Sequence, residues 1–460
     1  MDRAAYLAAL DAGLGALDAW AARWPAVAPD PTTVVPPERV AAVLDTLATR
    51  LRDNYPFFHP SYAAQMMNAP HPVAQLAYAL AMRINPNNHA LDGGPATAAL
   101  EREAVAEVAR MLGYPQHLGH LTSSGTIANL EALWVAREER PGRAIAYSAQ
   151  AHYTHARACA LLGVRGVPIP CDAAGRMDLA ALARHLAQDD VGTVVATIGT
   201  TGLGAVDPLH EILPLAGAHG ARVHADAAYG GFFTLLAQRE PSPVAAAPFR
   251  ALAACDSVVV DPHKRGLQPF GCGAVLFRDP AVARVYQHDS PATYYTSAEL
   301  HLGEISLECS RAGAAAAAFW ATLQCLPLAP DAGLGTILAR TRAAAVTWAA
   351  RLAASPYLRL VVEPDLDILA YFPAAQPATA TAISAASDAL FIALMADPAE
   401  PVYLAKLTVE RDLLAARYPA IVWDRPTMTV LRSVLMKPEH LAAIDALHAR
   451  VERAAAAIVG

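Results

Sequence analysis

The sequence predicts an α/β protein in which helices cover both faces of a mostly parallel central β-sheet. The first observation behind this prediction is an alternation, from about Glu101 to Lys264, between helical segments and short runs rich in valine and isoleucine. Such runs are typical of parallel strands that are buried on both faces and joined by helices. The second is size and composition: 460 residues, 55% hydrophobic and 17% charged, are enough for a large core and more than one domain.

Residues 1–75 are predicted to form a helical N-terminal region. An Ala- and Leu-rich helix is followed by a proline-broken link, a second helix over about 38–53 and the aromatic turn YPFFHPSY. Apolar arms of this kind often wrap a partner subunit, so we expect a role in dimerisation; the alternative is an N-terminal lobe on a monomer. The acidic residues spaced along the first helix do not match the basic start and apolar centre of a signal peptide.

Residues 76–330 are predicted to form the large domain. Near its start the polar segment INPNNHALDGGPAT, residues 84–97, interrupts two helical patterns and either lines a polar pocket or forms ordinary turns. Beyond it, helices are predicted at 101–112, 127–139, 152–162, 178–189 and 210–220, and strands at 144–148, 193–200, 221–229 and in a run that ends at Lys264. In such a sheet, ligands bind at the carboxyl ends of the strands.

Residues 331–460 are predicted to form a smaller C-terminal α+β domain. The Ala-rich helix GAAAAAFWATLQ, which begins at Gly313, leads into it. Strands are predicted near 358–362, 368–372 and 427–435, and a final helix is predicted from Pro438.

Charge and cysteine content argue against several classes of protein. A net charge of −7 without a run of lysine or arginine argues against a nucleic-acid partner. No apolar run is long and clean enough to span a bilayer, so we expect no membrane partner. The six cysteines are scattered, with no C-x-x-C pair and no histidine at metal-ligand spacing, which favours buried or free thiols over a disulfide framework or a metal site. A cytoplasmic enzyme is the expected class.

The stretch SVVVDPHKRGLQPFGCG, residues 257–273, contains the candidate nucleophile. Its β-branched run predicts a buried strand, and the turn that follows presents Lys264. An amine at the end of an apolar strand is desolvated, which is expected to lower its pKa and to make the neutral, Schiff-base-forming amine available. The neighbouring His263 could donate to an anion such as a phosphate. The alternative is that Lys264 is a solvated turn residue.

Two earlier stretches offer binding groups. In HLTSSGTIANLEALW, Gly125 and Thr126 open a helix whose free N–H groups and positive dipole end favour a phosphate, although the same residues fit an ordinary capped helix. In SAQAHYTHARA, His152 directly follows a strand. Its imidazole could stack on a flat aromatic ligand or be a satisfied histidine of the core.

Two later stretches end strands with polar side chains. In ATIGTTGLGAVDPL, Thr201 could supply a hydroxyl to a cofactor or belong to a simple turn. In HADAAYGGF, Asp226 lies in an apolar strand, and the small side chain of Ala228 leaves room for a flat ring. A buried carboxylate must be paired, either by a protonated ring nitrogen or by a salt bridge within the core.

Asp226 and Lys264, each near a strand end, are the pair that pyridoxal 5'-phosphate (PLP) chemistry needs. The lysine holds the aldehyde, and the carboxylate keeps the pyridine nitrogen protonated so that the ring accepts electrons. A helix terminus holds the phosphate. The sequence therefore predicts PLP as the cofactor.

Four of these motifs, TSSGTIANLEAL, SAQAHYTHARA, HADAAYGGF and VVVDPHK, together resemble the group II pyridoxal-phosphate-dependent amino acid decarboxylases of fold type I. This family includes aromatic amino acid, tyrosine, glutamate, histidine and cysteine sulfinate decarboxylases. The resemblance runs from about Phe57 to Leu435, and NPNN and GTIANLEALW are most similar to the bacterial tyrosine decarboxylase branch. Because family members are obligate dimers with sites at the subunit interface, the resemblance also implies a homodimer.

The resemblance implies a role for each matching catalytic residue. Lys264 would bind the aldehyde of the cofactor, and Asp226 would pair with the pyridine nitrogen. His152 would stack on one face of the ring and help to orient the substrate carboxylate. Ala228 would lie beneath the other face.

The resemblance also implies the surroundings of the phosphate and the substrate. Gly125, Thr126 and His263 would bind the phosphate, and Thr201 would lie beside the ring substituents. Asn88 and His89 fall where the family's substrate pocket is lined.

The chain departs from the family pattern at two places. Many family members follow the lysine with a tryptophan, whereas Arg265 stands here, which is expected to alter the surroundings of the phosphate. Family decarboxylases also carry a loop tyrosine that returns a proton to the substrate carbon after CO₂ leaves. In the corresponding region the candidates are Tyr294, Tyr295 and His301, and without a donor the reaction could turn to oxygen.

The predicted function is decarboxylation of an L-amino acid to its amine and CO₂, with aromatic substrates such as tyrosine or DOPA favoured. Two alternatives use the same scaffold: oxidative decarboxylation to an aldehyde, and a carbon–carbon lyase reaction. A non-catalytic regulatory protein that keeps the fold is the alternative from another class.

Overall fold

The computed structural model describes residues 1–188, 190–287 and 299–460. Its α-helices are α1 (Arg3–Ala21), α2 (Pro37–Leu51), α3 (Pro72–Met82), α4 (Pro95–Leu112), α5 (Gly125–Glu139), α6 (Thr154–Leu162), α7 (Leu179–Gln188), α8 (Leu209–Ala218), α9 (Thr234–Ala237), α10 (Ala246–Arg250), α11 (Pro262–Arg265), α12 (Gly313–Cys325), α13 (Gly333–Ala354), α14 (Ala380–Ala396), α15 (Arg411–Leu414) and α16 (His440–Val459). Its strands are β1 (Leu118–Thr122), β2 (Ala144–Ser148), β3 (Gly166–Ile169), β4 (Val191–Thr197), β5 (Arg222–Asp226), β6 (Ser257–Val260), β7 (Gly273–Phe277), β8 (Leu328–Ala329), β9 (Leu358–Leu360), β10 (Ile368–Pro373), β11 (Ala405–Glu410) and β12 (Thr427–Val434).

The larger sheet of the described chain has seven strands in the order β1-β7-β6-β5-β4-β2-β3. From β6 to β3 every neighbouring pair is parallel, whereas β7 is antiparallel to both β6 and β1. The prediction of a mostly parallel central sheet is therefore confirmed. Because β1 runs in the same direction as β6, the carboxyl ends of these strands meet at one edge of the sheet.

Helices cover both faces of this sheet, and β6 shows why its sequence allows this. Val258 and Val260 belong to the same hydrophobic cluster as Ile212 of α8. Val259, whose side chain points to the opposite face, packs in the cluster of Ala128 on α5. A run of three valines therefore contributes to two separate cores, as expected of a strand that is buried on both faces.

A second, antiparallel sheet follows in the order β11-β12-β10-β9. Residues of α13, α14 and α16 share a hydrophobic cluster with its strands. All strands of the larger sheet precede residue 330 in the sequence, and all strands of the second sheet follow it. The division into 1–75, 76–330 and 331–460 stays a prediction.

Several predicted element ends differ from the structure. The strands predicted at 193–200 and 221–229 are β4 and β5, which end at Thr197 and Asp226. The strand predicted to end at Lys264 is wrong in its length: β6 ends at Val260, and Lys264 lies in α11. Pro262 occupies the first turn of α11, where its missing N–H and fixed φ suit a helix start and not a sheet.

Strands β1, β3, β7, β8 and β11 have no counterpart in the predicted elements. The first two contain residues that weaken a strand pattern: LGHLT has a glycine, and GVPI has a glycine and a proline. These two segments form strands because neighbouring strands of the sheet pair with them, although their own sequences only weakly favour a strand. The predicted end of a helix at Asp189 falls outside the described residues.

The N-terminal helices differ in how they contact the rest of the chain. Helix α1 packs against α3, whereas every residue of α2 is exposed. Within the described chain, no helix is both long and apolar enough to cross a membrane. The prediction of free thiols is confirmed, since all six cysteines are unbridged.

Candidate active site

One cavity of about 240 Å³ collects most of the residues predicted to be functional. The predicted residues that line it are Gly125, Thr126, His152, Thr201, Asp226, Ala228, His263 and Lys264. Asp226 ends β5, and His152, Thr201 and Lys264 follow the ends of β2, β4 and β6. The site thus forms at the carboxyl edge of the parallel strands, where sequence reasoning expected it.

Lys264 forms an ion pair with a residue that had no predicted role. Its Nζ lies 2.9 Å from Oδ2 of Asp261, and the other oxygen of Asp261 is buried without a hydrogen-bond partner in the described chain. Burial disfavours the charged amine, but Asp261 and Asp226 favour it more strongly, so the pKa of Lys264 is raised above its ordinary value. The expected lowering by desolvation is therefore wrong for this structure, because the carboxylates outweigh it.

Asp226 is buried and accepts two hydrogen bonds from the protein. Nε2 of His155 lies 2.8 Å from Oδ2, and the Ala228 N–H donates to Oδ1 at 3.2 Å. Burial raises the pKa of Asp226, but the hydrogen bond and electrostatic interaction with His155 outweigh burial and hold the pKa below its ordinary range. Since an ionised carboxylate has about four acceptor positions, Asp226 retains capacity for a further donor from the cavity.

His152 is half-buried and held by its neighbour Thr154. Its Nδ1 accepts from the Thr154 N–H at 3.3 Å and lies 2.7 Å from the Thr154 hydroxyl. Burial lowers the pKa of His152, and the nearby Asp226 only partly opposes this. The ring is therefore uncharged near neutral pH, which suits stacking on a flat ligand.

The N-terminus of α5 lies against Asp261. Ser124 caps the helix by accepting from the Ile127 N–H, so that Gly125 and Thr126 form the first turn. A Cβ on Gly125 would come within 2.5–2.9 Å of the Asp261 carboxyl group, and glycine is therefore the residue that fits. The first turn of a helix of this length is a ready site for a phosphate.

His263 makes a fixed hydrogen bond that limits its predicted role. Its Nδ1 donates to the Cys272 carbonyl at 2.8 Å, and its Nε2 lies 3.5 Å from Asp261. Burial lowers the pKa of His263. A neutral His263 carries its proton on Nδ1, so donation from Nε2 to a phosphate requires the protonated ring, which the phosphate charge would itself favour.

The predicted substrate residues do not line this cavity. Asn88 is fully buried, and its amide donates to Glu101 at 2.6 Å and to the Thr97 carbonyl at 3.2 Å. His89 is half-buried, and its N–H donates to the side chain of Asn87. Their assignment to the substrate pocket stays a prediction.

Arg265 and the candidate proton donors also lie elsewhere. Arg265 is buried, bonds to Asp367 and Thr341 and does not line the cavity, and its expected effect on the phosphate surroundings stays a prediction. His301 is fully buried, and its Nδ1 accepts from the Leu91 N–H at 3.0 Å. Tyr294 and Tyr295 fall outside the described residues.

A second cavity of about 380 Å³ adjoins the first and shares His152, Tyr153 and Thr201 with it. Its lining adds two cations, Lys406 and Arg432. Arg432 is buried, and its Nη2 has no hydrogen-bond partner in the part of the chain that the structure describes. Lys406 already pairs with Asp388 at 2.9 Å, so Arg432 is the cation that this lining adds to the Lys264 of the main cavity.

Sequence reasoning missed His155 and Asp261, although both lie inside motifs that it singled out. Asp261 directly precedes Pro262 at the end of β6, which is a local signal. His155 follows His152 in SAQAHYTHARA, but its partner Asp226 is 71 residues away, and no local pattern joins them.

The donor set of the main cavity fits the predicted cofactor. An amine, a buried carboxylate with spare acceptor capacity, an uncharged imidazole and a helix N-terminus surround one space. These are the groups that an aldehyde, a pyridine nitrogen, an aromatic ring and a phosphate require.

Comparisons with known proteins agree with this geometry. The pyridoxal-dependent decarboxylase conserved domain matches residues 35–328. The chain is 34% identical over 309 residues to a probable L-aspartate decarboxylase of Halobacterium salinarum, covering 67% of this chain and 81% of the relative. It is 30% identical over 310 residues to a probable L-tyrosine/L-aspartate decarboxylase of Methanothermobacter thermautotrophicus, covering 66% and 81%.

Solved structures show the same fold. The crystal structure of Oryza sativa TDC with PLP and tryptamine covers 98% of both chains at 19% identity, with a TM-score of 0.77. This likeness confirms fold type I. Because the family model spans well over half of its length, the chain belongs to the pyridoxal-dependent decarboxylases, which are carboxy-lyases that act on amino acids.

Proposed function

We propose that this protein decarboxylates an aromatic L-amino acid, such as tyrosine or DOPA, to its amine and CO₂. The observation that carries the proposal is the placement of Lys264, Asp226 and His152 around one cavity at the carboxyl edge of the sheet. The aromatic preference is supported by Met66 and the Tyr153 ring in the cavity wall. Lys264 is the one lysine or arginine among the described residues of that wall. Since Lys264 is needed for the cofactor, the wall offers no further lysine or arginine to pair with an acidic side chain.

The chain's residues divide the work of binding. When bound, PLP supplies an aldehyde for an amine to bind and a protonated ring that accepts the electron pair released as the C–C bond breaks. Lys264 would offer the amine, and Asp226 would accept from the ring nitrogen. Gly125 and Thr126 would bind the phosphate with N–H groups of α5, and a protonated His263 would bind it as well. Thr201 would lie beside the ring substituents.

Orientation and proton handling fall to three residues. His152 would pack against one ring face and orient the substrate carboxylate, while the small side chain of Ala228 would leave room at the other face. Loss of the carboxylate replaces one C–C bond with a C–H bond and consumes one proton per turnover. Lys264, with its raised pKa, holds a proton inside the cavity, and Tyr294 and Tyr295 remain predicted donors.

A second candidate substrate is an acidic amino acid such as aspartate. The observation that favours it is the adjoining cavity, where Nη2 of Arg432 has no hydrogen-bond partner among the described residues and would bind a second carboxylate. Lys406, which pairs with Asp388 at 2.9 Å, lines the same cavity. Two relatives are named as probable decarboxylases of aspartate, or of tyrosine and aspartate.

The test is a reaction of PLP-loaded protein with tyrosine, DOPA, aspartate and glutamate, following amine, CO₂, aldehyde and peroxide together. We expect amine equal to CO₂ for tyrosine or DOPA. Equal amine and CO₂ for aspartate alone would favour the second candidate, and aldehyde with peroxide would show oxidative chemistry. Lys264→Ala is expected to lose both turnover and the visible absorbance of bound cofactor; retention of both would contradict the assignment.

We also propose that the protein is a cytoplasmic homodimer in which the partner covers α2. The exposed apolar side chains of α2 recur at helical spacing along one stripe: Val40, Val43, Leu44, Leu47 and Leu51. An exposed stripe of this kind is typical of a subunit interface. Six free thiols are consistent with a reducing compartment.

Sedimentation measurements test the dimer. Leu44→Glu with Leu47→Glu is expected to shift the wild-type dimer toward monomer, because it places charges in the apolar stripe. Thr49→Glu, on the opposite side of the same helix, is the matched control and is expected to stay dimeric. A wild-type monomer at micromolar concentration would contradict the proposal.

A further inference from the structure

A buried histidine, His155, contacts Asp226 from within the protein. It is the second residue of α6, its side chain has no exposure, and Nε2 lies 2.8 Å from Oδ2 of Asp226. It does not line the cavity, whereas His152, three residues earlier in the sequence and just before α6, does. The two histidines therefore approach Asp226 and its ligand space from different sides.

The hydrogen bond to Asp226 is the one polar contact of this imidazole within the described chain. Its Nδ1 is buried and has no hydrogen-bond partner among the residues that the structure describes. Burying a ring nitrogen without a partner is unfavourable, and an apolar side chain would avoid that cost. A histidine at this position is therefore explained by what it does for Asp226.

The geometry also defines where the proton lies. An ionised carboxylate can only accept, so the Nε2 atom of His155 carries the proton and donates it to Oδ2. His155 thus gives Asp226 one directed donor that favours the charged carboxylate.

Other groups near Asp226 have partners of their own. Lys264 pairs with Asp261, and His152 is bonded to Thr154. His224, from the same strand as Asp226, bonds to Asn129 and Ser257, each at 2.8 Å. Among the ionisable side chains near Asp226, His155 is the one that donates a hydrogen bond to it, and the other donor is the backbone N–H of Ala228.

We propose that His155 is a positioning residue that keeps Asp226 ionised and aimed so that it can hold a protonated pyridine nitrogen. The inference rests on the proposed function, because it gives Asp226 that partner. It deepens the function by adding a residue that touches neither cofactor nor substrate. The catalytic contact remains that of Asp226.

Three variants test the proposal. His155→Phe keeps a ring of similar size and removes the donor, while His155→Gln restores an N–H donor. His120→Phe is the matched control: His120 is equally buried and pairs with Glu131 at 3.0 Å, away from the cavity. The protonation of the ring is read from the ¹⁵N signal of PLP labelled at the pyridine nitrogen, and affinity from the dissociation constant of PLP between pH 5.5 and 8.

His155→Phe is expected to weaken PLP binding relative to wild type increasingly as the pH falls. Without its donor the buried Asp226 takes up a proton at higher pH and can no longer hold a protonated ring. The ¹⁵N signal is expected to move toward the unprotonated ring, and kcat to fall by roughly 10–100-fold with little change in KM, as is usual when a supporting residue is removed. His155→Gln is expected to restore most of the PLP affinity, the ¹⁵N signal and kcat. His120→Phe is expected to leave all three unchanged.

A double-mutant cycle tests whether His155 acts through Asp226. On an Asp226→Ala background, His155→Phe is expected to have less than about a twofold further effect, because its partner is gone. A full additional loss there, or a wild-type ¹⁵N signal in His155→Phe, would overturn the inference. A wild-type protein that binds no PLP would overturn the proposed function as well, so the two failures are distinguishable.

If His155→Phe does not fold, wild-type protein labelled with ¹⁵N-histidine answers the question. The inference requires the Nε2 proton signal of His155 to shift when PLP is added. An unchanged signal would overturn it.

Discussion

At the residue scale, Lys264 is governed by its carboxylate neighbours more than by its burial. Asp261, three residues earlier, lies 2.9 Å from the amine, and Asp226 approaches across the cavity. Both stabilise the ammonium form, so the neutral amine that attacks an aldehyde is the scarcer species near neutral pH. PLP binding must therefore include loss of a proton from this site.

Asp261→Asn is expected to make Lys264 react faster with PLP near neutral pH. The substitution keeps the shape of the side chain and removes the charge that raises the pKa of Lys264, so the pKa falls and more of the amine is neutral. We expect roughly a tenfold faster appearance of visible absorbance at pH 7, since a tenfold change in the neutral fraction corresponds to a one-unit change in pKa. The pH midpoint of that rate is expected to move down.

The control for this prediction is Asp256→Asn, which removes a carboxylate that faces Arg222 and Arg278 instead. It is expected to leave the rate profile in place. An unshifted midpoint in Asp261→Asn would show that Asp261 does not govern the amine.

At the element scale, the packing of α5 against the end of β6 shapes the expected phosphate site. Asp261 follows β6 directly, and Gly125 is the first residue of α5. The backbone of α5 approaches the Asp261 carboxyl group so closely that no Cβ fits between them. Glycine at position 125 therefore allows the N-terminus of α5 and the Asp261–Lys264 ion pair to line the same cavity side by side.

Gly125→Ala is expected to weaken PLP binding. The added Cβ would force Asp261 or the first turn of α5 to move, and overpacking of this kind typically costs about 1–3 kcal/mol. If that cost falls on the bound state, the dissociation constant rises by about tenfold or more. The measurement is an absorbance titration with PLP.

Gly217→Ala is the matched control, because it adds the same methyl group on α8, where nothing lies within 4 Å. It is expected to leave PLP affinity unchanged and to stabilise the helix slightly, by up to about 1 kcal/mol. Equal PLP affinity in Gly125→Ala and wild type would contradict the close approach described for α5.

At the scale of the whole molecule, a buried polar cluster ties the segment after Lys264 to the C-terminal part of the chain. Arg265 forms an ion pair with Asp367, which precedes β10, and bonds to Thr341 of α13 at 2.9 Å. Tyr229, which lines the cavity, donates to Asp367 at 2.5 Å. The position of the active-site wall thus depends on residues far along the chain.

Two buried histidines are expected to make the fold sensitive to acid. Burial lowers the pKa of His224 and of His440 from 6.5 to about 3. Between about pH 3 and pH 6.5 the unfolded chain holds a proton on each that the folded chain does not. The free energy of unfolding therefore falls as the pH falls through this window. Above about pH 6.5 both histidines are neutral in the folded and the unfolded chain, and neither lowers the free energy of unfolding.

His224→Gln is expected to reduce the pH dependence of the free energy of unfolding by about one proton, or roughly 1.4 kcal/mol per pH unit, between pH 4 and pH 6. Asp207, whose pKa burial raises to about 7, acts in the opposite direction, so the comparison of slopes with wild type is the measurement. His440→Gln is expected to give the same reduction. An unchanged slope in both would show that neither histidine is held neutral by the fold.

Local sequence patterns predicted several of the residues that line the cavity at the strand ends. Asp226, His152, Thr201 and Lys264 were predictable because strand periodicity and turn residues are local, and parallel strands bring such ends together. The same reasoning predicted a mostly parallel sheet and a smaller unit after it. Asp226 and Lys264 led to the prediction of PLP as the cofactor, and the family motifs, which lie at the same strand ends, supported it.

The tertiary structure alone decided which side chains meet across the chain. His155 reaches Asp226 over 71 residues, and Arg265 reaches Asp367 over 102, so that Arg265 does not line the cavity. The raised pKa of Lys264 likewise depends on Asp261 and Asp226 facing one amine. Sequence patterns report which residues are buried or turn the chain, whereas hydrogen bonds and pKa shifts depend on distances of a few ångströms that only packing sets.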